Sequence, residues 1–143
     1  MGRSIIHTIL NTPGLDLAAA VEKTGHPSIG KDAGAWAGEA SAGVSVESDL
    51  RKVAGQGDVV IDFTAPEASL RSLEMAVEKN LGIVIGTTGF SPDQMERVKC
   101  MAPQTRCVMA PNMSVGVNVL FKIVNDVARI LGDDFDVEVL DIK

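Results

Sequence analysis

Apolar positions along this chain recur in two rhythms, one helical and one strand-like. In residues 3–11, Ile5, Ile6, Ile9 and Leu10 fall on one face at helical spacing, which predicts a helix. Pro13-Gly14 stops it. Residues 15–21 form a short apolar run that ends in the charged pair Glu22-Lys23. The run predicts a buried strand, although its three alanines have little strand preference. Residues 24–43 are rich in glycine, with Pro27 and the single Trp36, and predict a long loop with at most a turn of helix. A brief strand is expected at 44–46, and a short helix at 48–53 with Ser48 as its cap.

The second half of the chain is more regular. Residues 58–63, Asp-Val-Val-Ile-Asp-Phe, are nearly continuous in apolar character, as expected of a parallel strand covered on both faces. Pro66 opens a helix that runs to about residue 80, with Leu70, Leu73, Ala76 and Val77 on one face. Residues 82–86 predict another buried strand. Ser91-Pro-Asp-Gln94 is a capping-box pattern for a helix that ends near Ala102-Pro103. A fourth strand is expected at 107–110, a long helix from about Ser114 to Leu131 closed by Gly132, and a final strand at 135–142. Strands alternating with helices predict an α/β fold, a parallel sheet with helices on its faces.

Composition narrows the functional classes. Aromatic residues make up 3% of the 143 residues, tyrosine is absent, and the formal charge is −6. Few stacking surfaces and a charge that repels phosphate argue against nucleic acid as a partner. No apolar run reaches the roughly 18 residues that span a bilayer, and no basic-then-apolar leader is present, so no membrane association is expected. Cys100 and Cys107 have no partner motif and are expected to be reduced thiols of a cytoplasmic protein. His7 and His26 have no Cys, Asp or second His at ligand spacing, so no metal site is expected.

In open parallel sheets, ligands bind beyond the carboxyl ends of the strands. The segments that follow the predicted strands are Glu22-Lys23, Phe63-Thr-Ala-Pro66, Gly86-Thr-Thr-Gly-Phe90 and Ala110-Pro-Asn-Met-Ser114. They are small and hydroxyl-bearing, so a dinucleotide could approach their backbone. An acid at the place of Glu22 could accept hydrogen bonds from ribose hydroxyls, and Lys23 could meet a 2′-phosphate. A solvated charged pair at a strand end is the alternative. The G-x-G-x-x-G fingerprint is absent.

Val60-Ile-Asp-Phe-Thr-Ala-Pro-Glu67, Val84-Ile-Gly-Thr-Thr-Gly-Phe90 and Ala110-Pro-Asn-Met-Ser-Val-Gly-Val-Asn118, in that order and spacing, resemble three signature segments of the dihydrodipicolinate reductases. Asp32-Ala-Gly-Ala-Trp-Ala-Gly38 resembles a fourth, weaker one. The resemblance implies a Rossmann-type dinucleotide-binding domain over residues 1–111. Residues 112–143 would then be the hinge, long helix and first strand of an α+β substrate and oligomerisation domain. It implies reduction of 4-hydroxy-tetrahydrodipicolinate to tetrahydrodipicolinate by NADH or NADPH, on the diaminopimelate route to lysine. Glu22 and Lys23 would meet the ribose end of the cofactor. Gly86, Thr87 and Thr88 would lie along the nicotinamide side, and Ala110, Pro111, Asn112 and Met113 would form its second wall. The full-length form would be a homotetramer acting on a small dicarboxylate.

Met1-Gly2 resembles the end of the family's Gly-Arg-Met-Gly loop, so the resemblance implies that the first strand and most of that loop are missing. It also places the catalytic His-His and Lys motif after residue 143. No catalytic residue is therefore assigned here, and the chain by itself is expected to be inactive and poorly stable, with unpaired strand edges. The alternative is a non-catalytic short form that binds nucleotide or a partner. A semialdehyde or homoserine dehydrogenase, a third possibility, is disfavoured by the Gly-Thr-Thr-Gly-Phe and Asn-Met-Ser-Val-Gly segments.

Overall fold

Three of the predicted strands pair side by side. β3 (Val59–Asp62), β4 (Gly82–Ile85) and β5 (Cys107–Met109) form a parallel sheet in the order β3-β4-β5. Ile61, Val84 and Val108 stand in one row across it. The computed structural model describes residues 1–138 and Leu140. It comprises two units, Met1–Met109 and Ala110–Lys143.

In the first unit, α3 (Pro66–Lys79) connects β3 to β4, and α4 (Pro92–Met101) connects β4 to β5. Each opens on a proline, whose missing N–H costs nothing at a helix start. The α4 capping box is complete: the Gln94 N–H donates to Ser91 Oγ, and the Ser91 N–H donates to Gln94 Oε1. α3 stops at Asn80, which takes the left-handed conformation with φ 54°. Leu70, Leu73 and Ala76 of α3, Val98 of α4, and Ile83 and Ile85 of β4 are buried together. Val60 packs against this core. Val59 and Ile61, on the opposite pleat, are 57% and 42% exposed.

The amino-terminal part departs from the single sheet expected. β1 (Ala20–Val21) and β2 (Val46–Glu47) form a separate parallel pair. The predicted strand at 15–21 is reduced to its last two residues, because a run becomes strand only where its peptide groups find a neighbour, and β2 offers a ladder of two. The expected strand at 44–46 moves to β2, while Ser45 makes an isolated bridge to Asp32. The expected helix at 48–53 is a 3₁₀ turn, Leu50–Lys52. Its cap is Asp49, which accepts from the Arg51 N–H at 3.0 Å, and not Ser48. α1 (Gly2–Leu10) fits the predicted helix and packs against α2 (Ala33–Ala37), which lies inside the glycine-rich loop.

In the second unit, α5 (Val115–Leu131) is capped by Ser114, whose Oγ accepts from the Val117 N–H, and ends at Gly132 with φ 69°. The strand expected at 135–142 is not formed at 135–138 or at Leu140, since those residues find no ladder partner among the described residues. Residues 139, 141 and 142 lie outside the described residues. No helix among those described is long and apolar enough to cross a membrane.

Candidate functional site

Where β3 and β4 end, a buried carboxylate gathers the surrounding hydroxyls. Asp62, 3% exposed, receives four hydrogen bonds on Oδ1. Its donors are the Thr64 hydroxyl at 2.6 Å, the Thr64 N–H at 3.1 Å, Ser69 Oγ at 2.9 Å and Thr87 Oγ1 at 3.2 Å. Ser69 Oγ also lies 2.7 Å from Thr87 Oγ1, which accepts from the Thr64 N–H at 2.9 Å. Ser69 is in the first turns of α3, and Thr87 follows β4. One acidic group therefore ties two strand ends and a helix together. Burial of an ion is tolerated when it is hydrogen-bonded in this way.

This network divides the work of the Gly86-Thr-Thr-Gly89 turn. Thr87 is 4% exposed and its hydroxyl is engaged, so only its backbone is free to face a ligand. Thr88 and Gly89 are exposed. Gly89 has φ 83° and open space where a side chain would stand, which suits close approach of a ligand to the chain. Gly86 has a different reason to be glycine, since a Cβ there would overlap the ring of Phe63.

Glu22 and Lys23 are exposed just beyond the carboxyl end of β1. The Glu22 N–H donates to the Glu47 carbonyl at 2.9 Å, and Glu22 Oε1 accepts from the Lys23 N–H at 2.8 Å. Behind them Asp32 organises the loop after β1. Its two oxygens accept from the N–H groups of Ala35, Ala42 and Gly43 and from the Ser41 hydroxyl, at 2.8 to 3.0 Å. The backbone bond from Ala35, then that from Ala42, hold its pKa down at about 2. Gly34 sits in the same turn, where a Cβ would collide with backbone at Ala40 and Ala42.

His7 and His26 are held structurally. His7 Nδ1 lies 2.5 Å from Glu39 Oε1, and this contact keeps the Glu39 carboxyl below its usual range. His26 Nδ1 lies 2.7 Å from Ser28 Oγ, and its ring stands edge-on to Trp36. Among the described residues no group of His, Cys, Asp or Glu could hold a metal ion.

Ala110, Pro111, Asn112 and Met113 belong to the second unit, ahead of α5. Asn112 Oδ1 accepts from the Ser114 N–H at 2.8 Å, and Asn118 Nδ2 donates to the Asn112 carbonyl at 2.9 Å. The segment is thus a set turn fastened to its helix.

The profile of the family described as dihydrodipicolinate reductase, N-terminus, matches residues 1–113. The chain belongs to the dihydrodipicolinate reductase family. Among curated relatives, the 4-hydroxy-tetrahydrodipicolinate reductase of Syntrophus aciditrophicus is 50% identical over 142 residues, which is 99% of this chain and 53% of that protein. The enzyme of that name from Anaeromyxobacter dehalogenans is 48% identical over the same shares. The chain thus spans about half the length of the curated reductases it matches. A solved structure, the dipicolinate-bound dihydrodipicolinate reductase from Paenisporosarcina sp. TG-14, is similar in fold. Its TM-score is 0.66 at 24% identity, over 85% of this chain and 47% of that one.

Reading the sequence of this reductase-family chain missed Asp62, Ser69 and Asp32 as organising residues. Asp32 carried a readable signal, an acid immediately before the short Ala-Gly-Ala helix. Asp62 had a weaker one, a charge inside an otherwise apolar strand.

Proposed function

We propose that this chain is the nucleotide-binding part of an enzyme that reduces 4-hydroxy-tetrahydrodipicolinate to tetrahydrodipicolinate with NADH or NADPH, in the diaminopimelate route to lysine. The observation that carries the reading is the Gly86-Thr-Thr-Gly89 turn, fixed by Asp62 at the carboxyl end of a parallel sheet, in a chain of this family. That is where dinucleotides lie in such folds.

The residues present fit a nicotinamide cofactor. Thr88 and Gly89 offer an exposed hydroxyl and an open backbone. α1 has neither a side-chain cap nor an acid in its first turn, which leaves its first amides to an anionic group. On this reading Glu22 receives ribose hydroxyls, with Lys23 beside it. Gly86, Thr87 and Thr88 line the nicotinamide side, and Ala110, Pro111, Asn112 and Met113 are cofactor-binding residues as well. The cofactor supplies the hydride, and the protein supplies position and electrostatics. No residue of this chain is assigned as the proton donor. The whole enzyme would act in the cytoplasm as a homotetramer on a small cyclic dicarboxylate, without nucleic acid or membrane partners.

The test is to titrate NADH and NADPH into a full-length form containing these residues, then add substrate. Saturable change in nicotinamide fluorescence followed by oxidation is expected. A folded sample that shows neither rejects the reading.

A further inference from the structure

Three basic side chains gather around the loop after β1 with no acid to meet them. Trp36 of α2 is half-buried. The Lys31 ammonium lies 4.7 Å from the centroid of its ring, and the Arg3 guanidinium of α1 lies 5.9 Å from it. Lys23 is tied to the same place. Its carbonyl accepts from the His26 N–H at 3.1 Å, and the His26 ring stands edge-on to Trp36 at 5.8 Å. Arg3, Lys23 and Lys31 are all exposed. None of them enters an ion pair among the described residues.

The neighbouring acids are committed elsewhere. Both oxygens of Asp32 are taken by donors of its own loop. Glu39 is paired with His7, and Glu22 turns one oxygen back to the Lys23 N–H. A cation–π contact holds a cation in place without neutralising it. Two cations against one ring therefore leave a positive spot in a chain whose formal charge is −6. The backbone beneath Lys31 is fixed as well. Its N–H donates to the Ser28 carbonyl and its carbonyl accepts from the Val46 N–H, both at 2.9 Å. The charges are thus set in place ahead of any ligand, which lowers the cost of binding an anion.

Position names the anion. Lys23 follows Glu22 just beyond the carboxyl end of β1, where the adenosine ribose of a dinucleotide lies. NADH carries only hydroxyls on that ribose, whereas NADPH carries a 2′-phosphate that several basic groups can share. Building on the proposed cofactor site, which this step requires, we infer that Arg3 and Lys31 bind the 2′-phosphate beside Lys23 and make the protein prefer NADPH to NADH. Trp36 is a positioning residue, which holds the two charges where the phosphate arrives.

The experiment titrates NADPH and NADH separately into a full-length form containing these residues, without substrate, and reads nicotinamide fluorescence. NADPH should bind about tenfold more tightly than NADH at low salt, and the gap should narrow as salt rises. Lys31→Met and Arg3→Met keep an apolar stem on the ring. Each should weaken NADPH binding by about threefold or more, the scale of an exposed charge, with NADH affinity retained. Trp36→Leu should act in the same way, and Trp36→Phe, which keeps a ring under the cations, should recover most of the NADPH affinity. Equal affinity for the two coenzymes overturns the inference and leaves the cofactor reading standing. So does unchanged NADPH affinity in both Lys31→Met and Arg3→Met, or an equal loss of NADH and NADPH affinity in them. A folded wild-type protein that binds neither coenzyme overturns both.

Discussion

The ring of Phe63 fills the space that a side chain on Gly86 would need. The two residues stand just past the ends of β3 and β4, so the glycine is set by packing beneath the turn as well as by any ligand above it. Gly86→Ala should cost about 1–3 kcal/mol, the usual scale of overpacking. Phe63→Leu on that background should recover part of the loss. Urea denaturation of the single and double variants measures both effects. Full stability of Gly86→Ala would show that the ring turns aside freely.

Asp62 should be worth more than any hydroxyl that bonds to it. Asp62→Ala leaves the buried Ser69 and Thr87 hydroxyls short of an acceptor, at about 1–3 kcal/mol for each group left unpaired. Asp62→Asn keeps one acceptor oxygen and should cost less. The Thr64 amide, which donates to both Asp62 and Thr87, reports on the site by hydrogen exchange. Unchanged protection of Thr64 in Asp62→Ala would remove the organising role.

Asp32 makes the loop after β1 sensitive to acid. Its pKa falls from 3.8 to about 2 on folding, so it contributes stability that is fully present above pH 3.8. That contribution is lost as pH falls through 2. The amide resonances of Ala42 and Gly43, which donate to it, should titrate with a midpoint near 2. A midpoint near 4 would show that those bonds do not form in solution.

Glu22→Ala in a full-length form should weaken NADH binding by ~1–2 kcal/mol, the scale of a hydrogen bond to a charged group. An unchanged dissociation constant would leave Glu22 as a solvated strand-end charge.

Local features were legible in the sequence. The capping box at Ser91, the prolines that open α3 and α4, Ser114 and Gly132 around α5, and the apolar runs of β3, β4 and β5 each depend on a few neighbouring residues. The order of the strand-end segments was legible for the same reason, and with it the place of Gly86, Thr87 and Thr88.

What only the tertiary structure decided is pairing between distant parts of the chain. The 15–21 run and residues 135–138 are expected as strand from their apolar positions, but a strand is completed by a neighbour's peptide groups, and no single run contains its neighbour. The same holds at the site. The charge of Asp62 is readable as an oddity in an apolar strand, yet Ser69 and Thr87, its partners 7 and 25 residues away, meet it only when β3, α3 and β4 close on one another. Gly86 reads as room for a ligand, and only the fold shows that Phe63 also fills the space beside it. Sequence periodicity determines which face a side chain takes, and three-dimensional packing determines what it finds there.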